Sequence, residues 1–314
     1  MLGTFIDPSH ALRLSQAAHE APISWLGLDC EEFLQCYNRS PFLVRHRLHQ
    51  HPLFQRAALF DLARRHPRSA VPLRTGEVPV TEDFDHSFSR YGHGLALEDA
   101  LEHFEERDAY LVINNPEKDP IYHDLIEALL GEVAASTARI DPGITWYSTY
   151  LFVSSRGAIT PYHMDREMNF LFQIDGLKRV RLWDRQDSEV MTEEQKDELL
   201  AYAAELRPPY KASNEPKACT FELRPGIGVH HPFIAPHVVS TGSDFSVSLA
   251  LTYRTRRTDM WTAAHHLNHK LRQHGWQPRP VGASPLLDQA KAWLMRLATS
   301  SRAAVRLVRQ RLLR

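Results

Sequence analysis

The sequence is poor in cysteine, and its few cysteines form no recognisable pair. Cys30, Cys36 and Cys219 are odd in number, and no two of them stand in a C-x-x-C arrangement. A disulfide framework and a thiolate zinc site are therefore not expected. This usage is typical of reduced thiols in an intracellular protein.

The sequence also lacks long apolar runs and a leader pattern. Its first five residues, MLGTF, carry no positive charge, and no window approaches 18 uninterrupted apolar residues. We therefore expect neither a secretory signal nor a membrane-spanning helix. The expected location is the cytoplasm.

An excess of charge of one sign is missing as well. The chain has 37 Lys and Arg against 38 Asp and Glu, which gives a formal net charge of −1. No global charge therefore indicates nucleic acid or an anionic membrane as a partner. With 314 residues, 43% of them hydrophobic, the chain is long enough for one large domain or for a domain with a smaller helical appendage.

Helix-like and strand-like segments occupy different parts of the chain. Helices are predicted towards the N-terminus and in one acidic insertion, over 8–20, 52–66, 95–106, 119–135 and 192–206. Short strands rich in β-branched and aromatic residues are predicted over 145–155, 168–174, 178–183, 218–223 and 246–254. This pattern favours a mainly β fold with flanking helices (α+β), whose core is an antiparallel barrel or jelly roll of the cupin type.

The same pattern predicts three regions. Residues 1–140 are expected to form a mixed, largely helical region that packs on the core. Residues 141–258 are expected to form the β core, and residues 259–314 a C-terminal helical region. The second region holds the candidate site residues.

The most informative segment is residues 160–165, with the sequence TPYHMD. It places His163 and Asp165 two residues apart in a β-like stretch, where alternate side chains share one face. Both could therefore bind one metal ion from the same side. A second histidine from elsewhere would complete two histidines and one carboxylate on one face of the metal, which is the usual site of non-haem Fe(II) oxygenases.

The second histidine is expected on a later strand. By spacing the best candidate is His237, which follows a Gly turn, a strand and Pro232. His230 and His231 compete with it, and because they are adjacent they would point to opposite faces of a strand. The chain has 18 histidines, so the residues alone leave this choice open.

This constellation resembles the motif of the jumonji-C, cupin-like family of Fe(II)- and 2-oxoglutarate-dependent oxygenases, and within it the asparaginyl-hydroxylase branch. The resemblance is strongest over about residues 145–255, and it is carried by matching offsets at Thr160, Pro161, His163, Asp165, Asn169, Phe170, Gln173, Ile174, Gly176, Lys178, Arg179, Gly226, Pro232 and His237. It implies a double-stranded β-helix core, and it assigns the distal histidine to His237. One departure is Ile227, which stands where the family usually has Asp after Gly226. That aspartate is not a ligand, so the departure concerns the turn and not the triad.

The resemblance also implies a role for each of the other site residues. Lys178 would bind the distal carboxylate of 2-oxoglutarate, with Thr160 as its hydroxyl partner. Asn169 would form a hydrogen bond near the C1 carboxylate, and Tyr150 would form a wall of the cosubstrate pocket. From the residues alone each could equally be structural, as a solvated strand residue, a turn cap, a backbone partner or a core aromatic. The implied metal ligands and catalytic centre are His163, Asp165 and His237.

The implied activity is a 2-oxoglutarate-dependent dioxygenase with Fe(II) and 2-oxoglutarate as cofactors. It would use O2 to hydroxylate a protein or peptide side chain, or another C–H substrate, and release succinate and CO2. Three alternatives remain. One is a non-catalytic cupin-like protein with a metal-binding or regulatory role, and another is a hydroxylase of small molecules or tRNA nucleosides. The third is an Fe or Mn cupin enzyme that does not use 2-oxoglutarate.

The C-terminal part of the chain carries two further features. Residues 291–314 hold seven basic residues and no acidic one, interleaved with apolar residues at a spacing that allows an amphipathic helix. One interpretation is contact with RNA or an anionic surface, and the other is packing on the core or in a homodimer, which the dimerising C-terminal helices of the resembling hydroxylase favour. Upstream, His265 and His269 are one helical turn apart and could bind a metal. Because no carboxylate is suitably placed beside them in the sequence, we expect them on an exposed helix face instead.

Overall fold

The computed structural model describes residues 3–7, 10, 24–28, 31–203 and 207–312, with side chains as far as residue 299. Two compact units are present: one consists of Met1–Arg185 and Pro209–Thr255, and the other of Gln186–Pro208 and Arg256–Arg314. The predicted division into 1–140, 141–258 and 259–314 stays a prediction, because compactness does not test which parts fold independently. The predicted helix over 8–20 lies almost wholly outside the described residues.

The first unit is built on antiparallel strands. In chain order they are β1 (Thr4–Phe5), β2 (Leu26–Gly27), β3 (Leu43–His46), β4 (Leu73–Thr75), β5 (Ala109–Asn114), β6 (Ile144–Ser154), β7 (Ile159–Met164), β8 (Met168–Asp175), β9 (Lys178–Leu182), β10 (Cys219–Leu223), β11 (Ile227–His231), β12 (Pro236–Thr241) and β13 (Ser246–Thr255). Among the described residues, one sheet has the order β2-β3-β11-β8-β13-β6-β5-β4 with β1 beside β6, and a second sheet has the order β10-β9-β12-β7. These two antiparallel sheets with flanking helices confirm the predicted α+β fold class with a jelly-roll core.

The core of this unit lies between the two sheets. Val180 and Leu182 of the four-stranded sheet pack against Leu171, Val229 and Ala250 of the large sheet. Successive side chains of a strand point to opposite faces, so these residues mark the inner face of each strand. Fully burying a valine or leucine side chain contributes about 1.5–3 kcal/mol, which makes the contact between the sheets a main source of stability. The inner faces also direct the candidate site residues towards one another.

Within the described residues, the first unit contains five helices. They are α1 (Glu31–Cys36), α2 (Arg56–Arg65), α3 (Ser87–Tyr91), α4 (Leu97–Glu102) and α5 (Pro120–Thr137), and short 3-10 turns stand at Leu48–Gln50, Pro52–Phe54, Arg68–Ala70, Pro116–Lys118 and Ala212–Lys217. The position of α5 confirms the helix predicted over 119–135. The Asp119 carboxylate accepts the Ile121 N–H at 3.0 Å, and Pro120 occupies the first helical position, where its missing N–H is not needed.

The second unit is helical and contains α6 (Glu193–Leu200), α7 (Arg256–Gln273) and α8 (Pro285–Leu312). The Thr192 hydroxyl caps α6 by accepting the Gln195 N–H at 3.2 Å. The expectation that His265 is exposed is wrong: only 5% of it is exposed, and its Nδ1 lies 2.7 Å from the carboxylate of fully buried Asp197. That carboxylate comes from α6, about seventy residues earlier in the chain, so the sequence around His265 does not indicate this contact. Across the described ranges, no helix combines the length and apolar character that crossing a bilayer requires.

Candidate metal centre

Three side chains converge at one end of the four-stranded sheet. His163 of β7 is paired directly with His237 of β12, and Asp165 follows the end of β7. The Asp165 carboxylate lies 3.7 Å from His163 Nε2 and 3.9 Å from His237 Nε2. One ligand atom from each residue lies within 4.8 Å of the other two, which is close enough for a single metal ion to contact all three.

Both imidazoles are oriented by backbone carbonyls. His163 Nδ1 lies 2.8 Å from the Pro161 oxygen, and His237 Nδ1 lies 3.0 Å from the Ala235 oxygen. A carbonyl can only accept, so in each ring Nδ1 carries the proton and Nε2 presents its lone pair to the centre. The two histidines are 4% and 3% exposed, and Asp165 is half-buried. This donor set of two neutral imidazoles and one carboxylate, with no thiolate, fits Fe(II) and leaves coordination positions open.

Phe84 covers one face of the centre. Its ring stacks on the His163 ring with centroids 3.8 Å apart and planes inclined by only 2°. The stacking restricts rotation of the imidazole about its Cβ–Cγ bond, because turning it would separate the rings or bring them into collision. Phe84 was not among the predicted site residues, and its position 79 residues before His163 offered no local signal.

A β-bulge brings Thr160 to the same face as His163. His237 and Val239 are two residues apart on β12 and share a face, but their partners on β7 are His163 and Thr160, which are three apart. The extra residue on β7 therefore cancels the alternation that would otherwise turn Thr160 away. The Thr160 hydroxyl lies 2.9 Å from the hydroxyl of Tyr110 on β5. Tyr110 is a second residue that the sequence did not single out.

Lys178 projects into the same interior from β9. It shares a face with Val180 and Leu182, which belong to the core between the sheets, and it is 4% exposed. Its Nζ lies 5.5 Å from the centroid of the Phe152 ring. Burial lowers the pKa of Lys178 from 10.5 to about 7, and no acidic group among the described residues offsets this effect. A buried ammonium group without an anion is costly, so this site is suited to an anionic ligand.

The distance between Lys178 and the triad suits an elongated ligand. His237 is paired with Leu182, four residues along β9 from Lys178. Four residues of strand span roughly 13 Å, and the long lysine side chain covers part of that distance. A dicarboxylate held at both ends would therefore lie along the inner face of the four-stranded sheet.

Tyr150 and Asn169 line the opposite wall, on the large sheet. Tyr150 packs against both apolar clusters on that side, and burial raises the pKa of its hydroxyl to about 12. Asn169 is 5% exposed, and its Oδ1 has no hydrogen-bond partner within the described chain. The seven predicted site residues therefore come from both sheets, two from the large sheet and five from the four-stranded sheet and the end of β7.

The adjacent histidines of β11 do point to opposite faces. His230 faces away from the core and packs on Tyr37, and its Nε2 accepts the Asn38 N–H at 3.2 Å. Its Nδ1 donates to the Asn169 carbonyl at 3.1 Å, and burial lowers its pKa to about 3. His231 faces inward, where its ring contacts that of His237. Neither belongs to the convergent group of three, so the competition for the distal position favours His237 on geometry.

The turn at Ile227 closes through the backbone. The Ile227 N–H donates to the Arg224 carbonyl at 2.9 Å, and Gly226 takes a φ of +89°, which a side chain would disfavour. The Gly226 N–H donates in turn to the Gln173 carbonyl at 3.1 Å. The turn is thus intact with Ile227 at the position where the resembling family usually has an aspartate.

Comparisons with known proteins identify structural likeness only. A scan against protein-family models finds no match, and a search of curated proteins finds none. Among solved structures, the ribosomal oxygenase YcfD from Escherichia coli is similar at a TM-score of 0.46 and 15% identity, over 88% of this chain and 68% of that one. YcfD in complex with cobalt and 2-oxoglutarate gives 0.46 and 16%, over 88% and 67%, and its complex with cobalt and succinic acid gives 0.42 and 16% over the same shares.

Proposed function

We propose that this chain is an Fe(II)- and 2-oxoglutarate-dependent oxygenase. One observation carries the proposal: the triad of His163, Asp165 and His237 shares its enclosed interior with Lys178, a buried cation that no acidic group offsets. The triad suits a metal with open positions, and the lysine suits the far end of an anionic cosubstrate. A structural metal site would need neither open positions nor a buried cation nearby.

Each protein group has a task in binding the cosubstrate. His163, Asp165 and His237 would hold the metal. Lys178 would bind the distal carboxylate of 2-oxoglutarate together with the Thr160 hydroxyl. Tyr110, which contacts that hydroxyl at 2.9 Å, fixes its orientation and offers a second hydroxyl. Charge-assisted hydrogen bonds of this kind are stronger than neutral ones, particularly where water is excluded.

The metal would supply the oxidising chemistry. With Fe(II) bound, 2-oxoglutarate and O2 are converted to succinate and CO2, one oxygen atom goes to succinate, and the other enters a C–H bond of the substrate as a hydroxyl group. The surrounding aromatic side chains, Tyr150 and Phe152 on one wall and Phe84 over His163, keep water from the reacting groups.

The substrate we propose is a side chain of a protein or peptide. The matching offsets from Thr160 to His237 support the asparaginyl-hydroxylase-like branch of the jumonji-C group, and the cysteine usage supports a cytoplasmic location. A small molecule or a tRNA nucleoside is the alternative substrate, and a non-catalytic cupin-like protein is the alternative function. The complete set of His163, Asp165, His237 and Lys178 favours an active enzyme over the latter.

A succinate-release screen tests the proposal. Purified protein with Fe(II), 2-oxoglutarate and O2 is incubated with ribosomal proteins, peptides, amino acids or tRNA, and products are examined by mass spectrometry for the gain of one oxygen atom. We expect succinate above the no-enzyme background, with one substrate gaining oxygen. His163→Ala should abolish it, whereas His103→Ala, which removes an exposed histidine, should not. Turnover at background level for every substrate, in protein that binds Fe(II) and 2-oxoglutarate, would favour the non-catalytic alternative.

We also propose that α8 mediates a homodimer. Its described part exposes several large apolar side chains: Leu286, Trp293, Leu294 and Leu297 are 79%, 61%, 50% and 48% exposed. Residues 286, 293 and 297 follow a spacing of seven and four, which places them on one helical face. Such an apolar stripe is typical of a subunit contact. Light scattering after gel filtration should give twice the monomer mass, and Trp293→Glu should shift it to the monomer.

A further inference from the structure

His231 is a buried histidine whose ring nitrogens form no hydrogen bond with any described residue. It is 2% exposed, and within the part of the chain that the structure describes neither Nδ1 nor Nε2 has a hydrogen-bond partner. Its neighbour His230 differs in this respect, because both of its nitrogens are bonded on the outer face of β11. Leaving a buried donor unpaired is unfavourable, so such groups call for an explanation, which is often a ligand or a water.

The position of His231 places it beside the metal centre. It shares the inner face of β11 with Val229, a member of the core between the sheets. From there its ring reaches across the interior to the ring of His237, with centroids 4.5 Å apart and planes inclined by 73°. Its nitrogens do not belong to the convergent group formed by the three triad residues. His231 is therefore next to the metal position without being one of its ligands.

His231 is also the end of a row of polar side chains, which we call the polar row and which consists of His231, Asn169 and Thr252. His231 is paired with Asn169, and Asn169 is paired with Thr252, so the three lie side by side across β11, β8 and β13. The next inward-facing row on the same strands is apolar, with Val229, Leu171 and Ala250. The Asn169 Oδ1 also lacks a partner among the described residues. At the level of the triad the inner face of these three strands is therefore polar.

We infer that His231, together with Asn169, binds the carboxylate of the 2-oxo acid group that chelates the metal. An imidazole always carries at least one N–H donor, and the Asn169 amide offers two more. A carboxylate accepts several hydrogen bonds at once, which suits neighbouring donors in an enclosed site. This role rests on the proposed function, and it is distinct from that of Lys178, which binds the other end of the same molecule.

Binding measurements on two variants test the inference. Anaerobic, Fe(II)-loaded protein is titrated with 2-oxoglutarate while the visible charge-transfer band is followed, and Co(II) affinity is measured separately without any 2-oxo acid. His231→Leu removes the donor at similar size, and His231→Gln keeps an N–H. We expect the dissociation constant of 2-oxoglutarate to rise roughly ten- to hundred-fold in His231→Leu and much less in His231→Gln, with Co(II) affinity unchanged.

A second ligand separates the two ends of the cosubstrate. 2-Oxobutyrate has the 2-oxo acid group and no distal carboxylate, so His231→Leu should weaken its binding by a similar factor, while Lys178→Met should leave it unaffected. Ligand-free His231→Leu should also melt at a higher temperature than the wild type, because it buries no unpaired imidazole.

The outcomes are distinguishable. Wild-type protein that binds Fe(II) but no 2-oxo acid overturns the proposed function together with the inference. Wild-type binding that His231→Leu leaves unchanged overturns the inference alone. A loss of Co(II) affinity in His231→Leu, with normal 2-oxoglutarate binding by the metal-loaded fraction, would make His231 a metal ligand and also refute the assigned role.

Discussion

Replacing Lys178 with methionine should weaken cosubstrate binding and strengthen folding. The pKa of Lys178 is about 7 in the folded protein against an ordinary 10.5, and each pKa unit corresponds to about 1.4 kcal/mol. At pH 7 the buried lysine therefore lowers the stability of the ligand-free protein by about 4 kcal/mol. Methionine fills a similar volume without a charge, so Lys178→Met should recover most of this free energy.

The dependence of this effect on pH has a definite sign. Between about pH 7 and 10.5 the unfolded chain binds a proton at Lys178 that the folded, ligand-free protein does not bind. The contribution of this residue therefore makes stability rise with pH over that window. The penalty is fully present below pH 7 and absent above pH 10.5. The stability difference between Lys178→Met and wild type should accordingly shrink as pH rises, which urea unfolding at pH 6.5, 8 and 9.5 measures.

The same substitution, Lys178→Met, should weaken cosubstrate binding although it stabilises the fold. Removing one partner of a buried ion pair costs about 3–5 kcal/mol, so Lys178→Met should raise the dissociation constant of 2-oxoglutarate by roughly a hundred- to a few thousand-fold. In the wild type the carboxylate favours charged Lys178, and the affinity should fall roughly ten-fold per pH unit above pH 7. Isothermal titration with Mn(II) in place of Fe(II) measures both effects without turnover.

Arg179→Met is the matched control. Arg179 is the next residue on β9, points the other way and pairs with Glu222 at 3.0 Å on the surface, with a side chain that is 59% exposed. It should leave both stability and 2-oxoglutarate affinity close to wild type. If Lys178→Met is no more stable than the wild type and binds 2-oxoglutarate equally well, the assignment of Lys178 to the cosubstrate is refuted.

Two further substitutions test the residues that surround the centre. Tyr110→Phe removes the hydroxyl that contacts Thr160 at 2.9 Å, so the dissociation constant of 2-oxoglutarate should rise roughly five- to ten-fold at unchanged metal affinity. An unchanged dissociation constant would show that Tyr110 takes no part in binding the cosubstrate. Phe84→Leu removes the ring stacked on His163, so Co(II) affinity in the absence of cosubstrate should fall roughly two- to ten-fold; equal Co(II) affinity would show that the stacking does not position the ligand.

Local sequence patterns predicted the strands in which the alternation of residues along the chain matches the alternation of side chains between the two faces of the sheet. Strands β6, β8, β9, β10 and β13 lie within a residue or two of the predicted segments, because their alternation and β-branched content reflect burial between the two sheets. Short elements such as β2 and β4 were missed. Each has only two or three residues and forms because it pairs with a strand elsewhere in the chain. So short a segment contains too few residues to show a recognisable strand pattern in the sequence.

Strand geometry alone predicted the position of some site residues but not of others. His163 and Asp165 stand two residues apart, so their common side could be inferred from strand geometry alone. Thr160 could not, because alternation alone would turn a residue three positions from His163 to the other face. The bulge that reverses this is defined by pairing with β12, more than seventy residues later. Tyr110 and Phe84 reach the site through tertiary packing and left no local signal.

The anaerobic visible spectrum of the protein with Fe(II) and 2-oxoglutarate tests the metal centre and the cosubstrate site together. We expect a charge-transfer band that appears only when both are present and is absent in His163→Ala and Asp165→Ala, which lose ligands of the triad. Folded wild-type protein that shows no band and binds no Fe(II) would contradict the metal centre, and with it the proposed oxygenase.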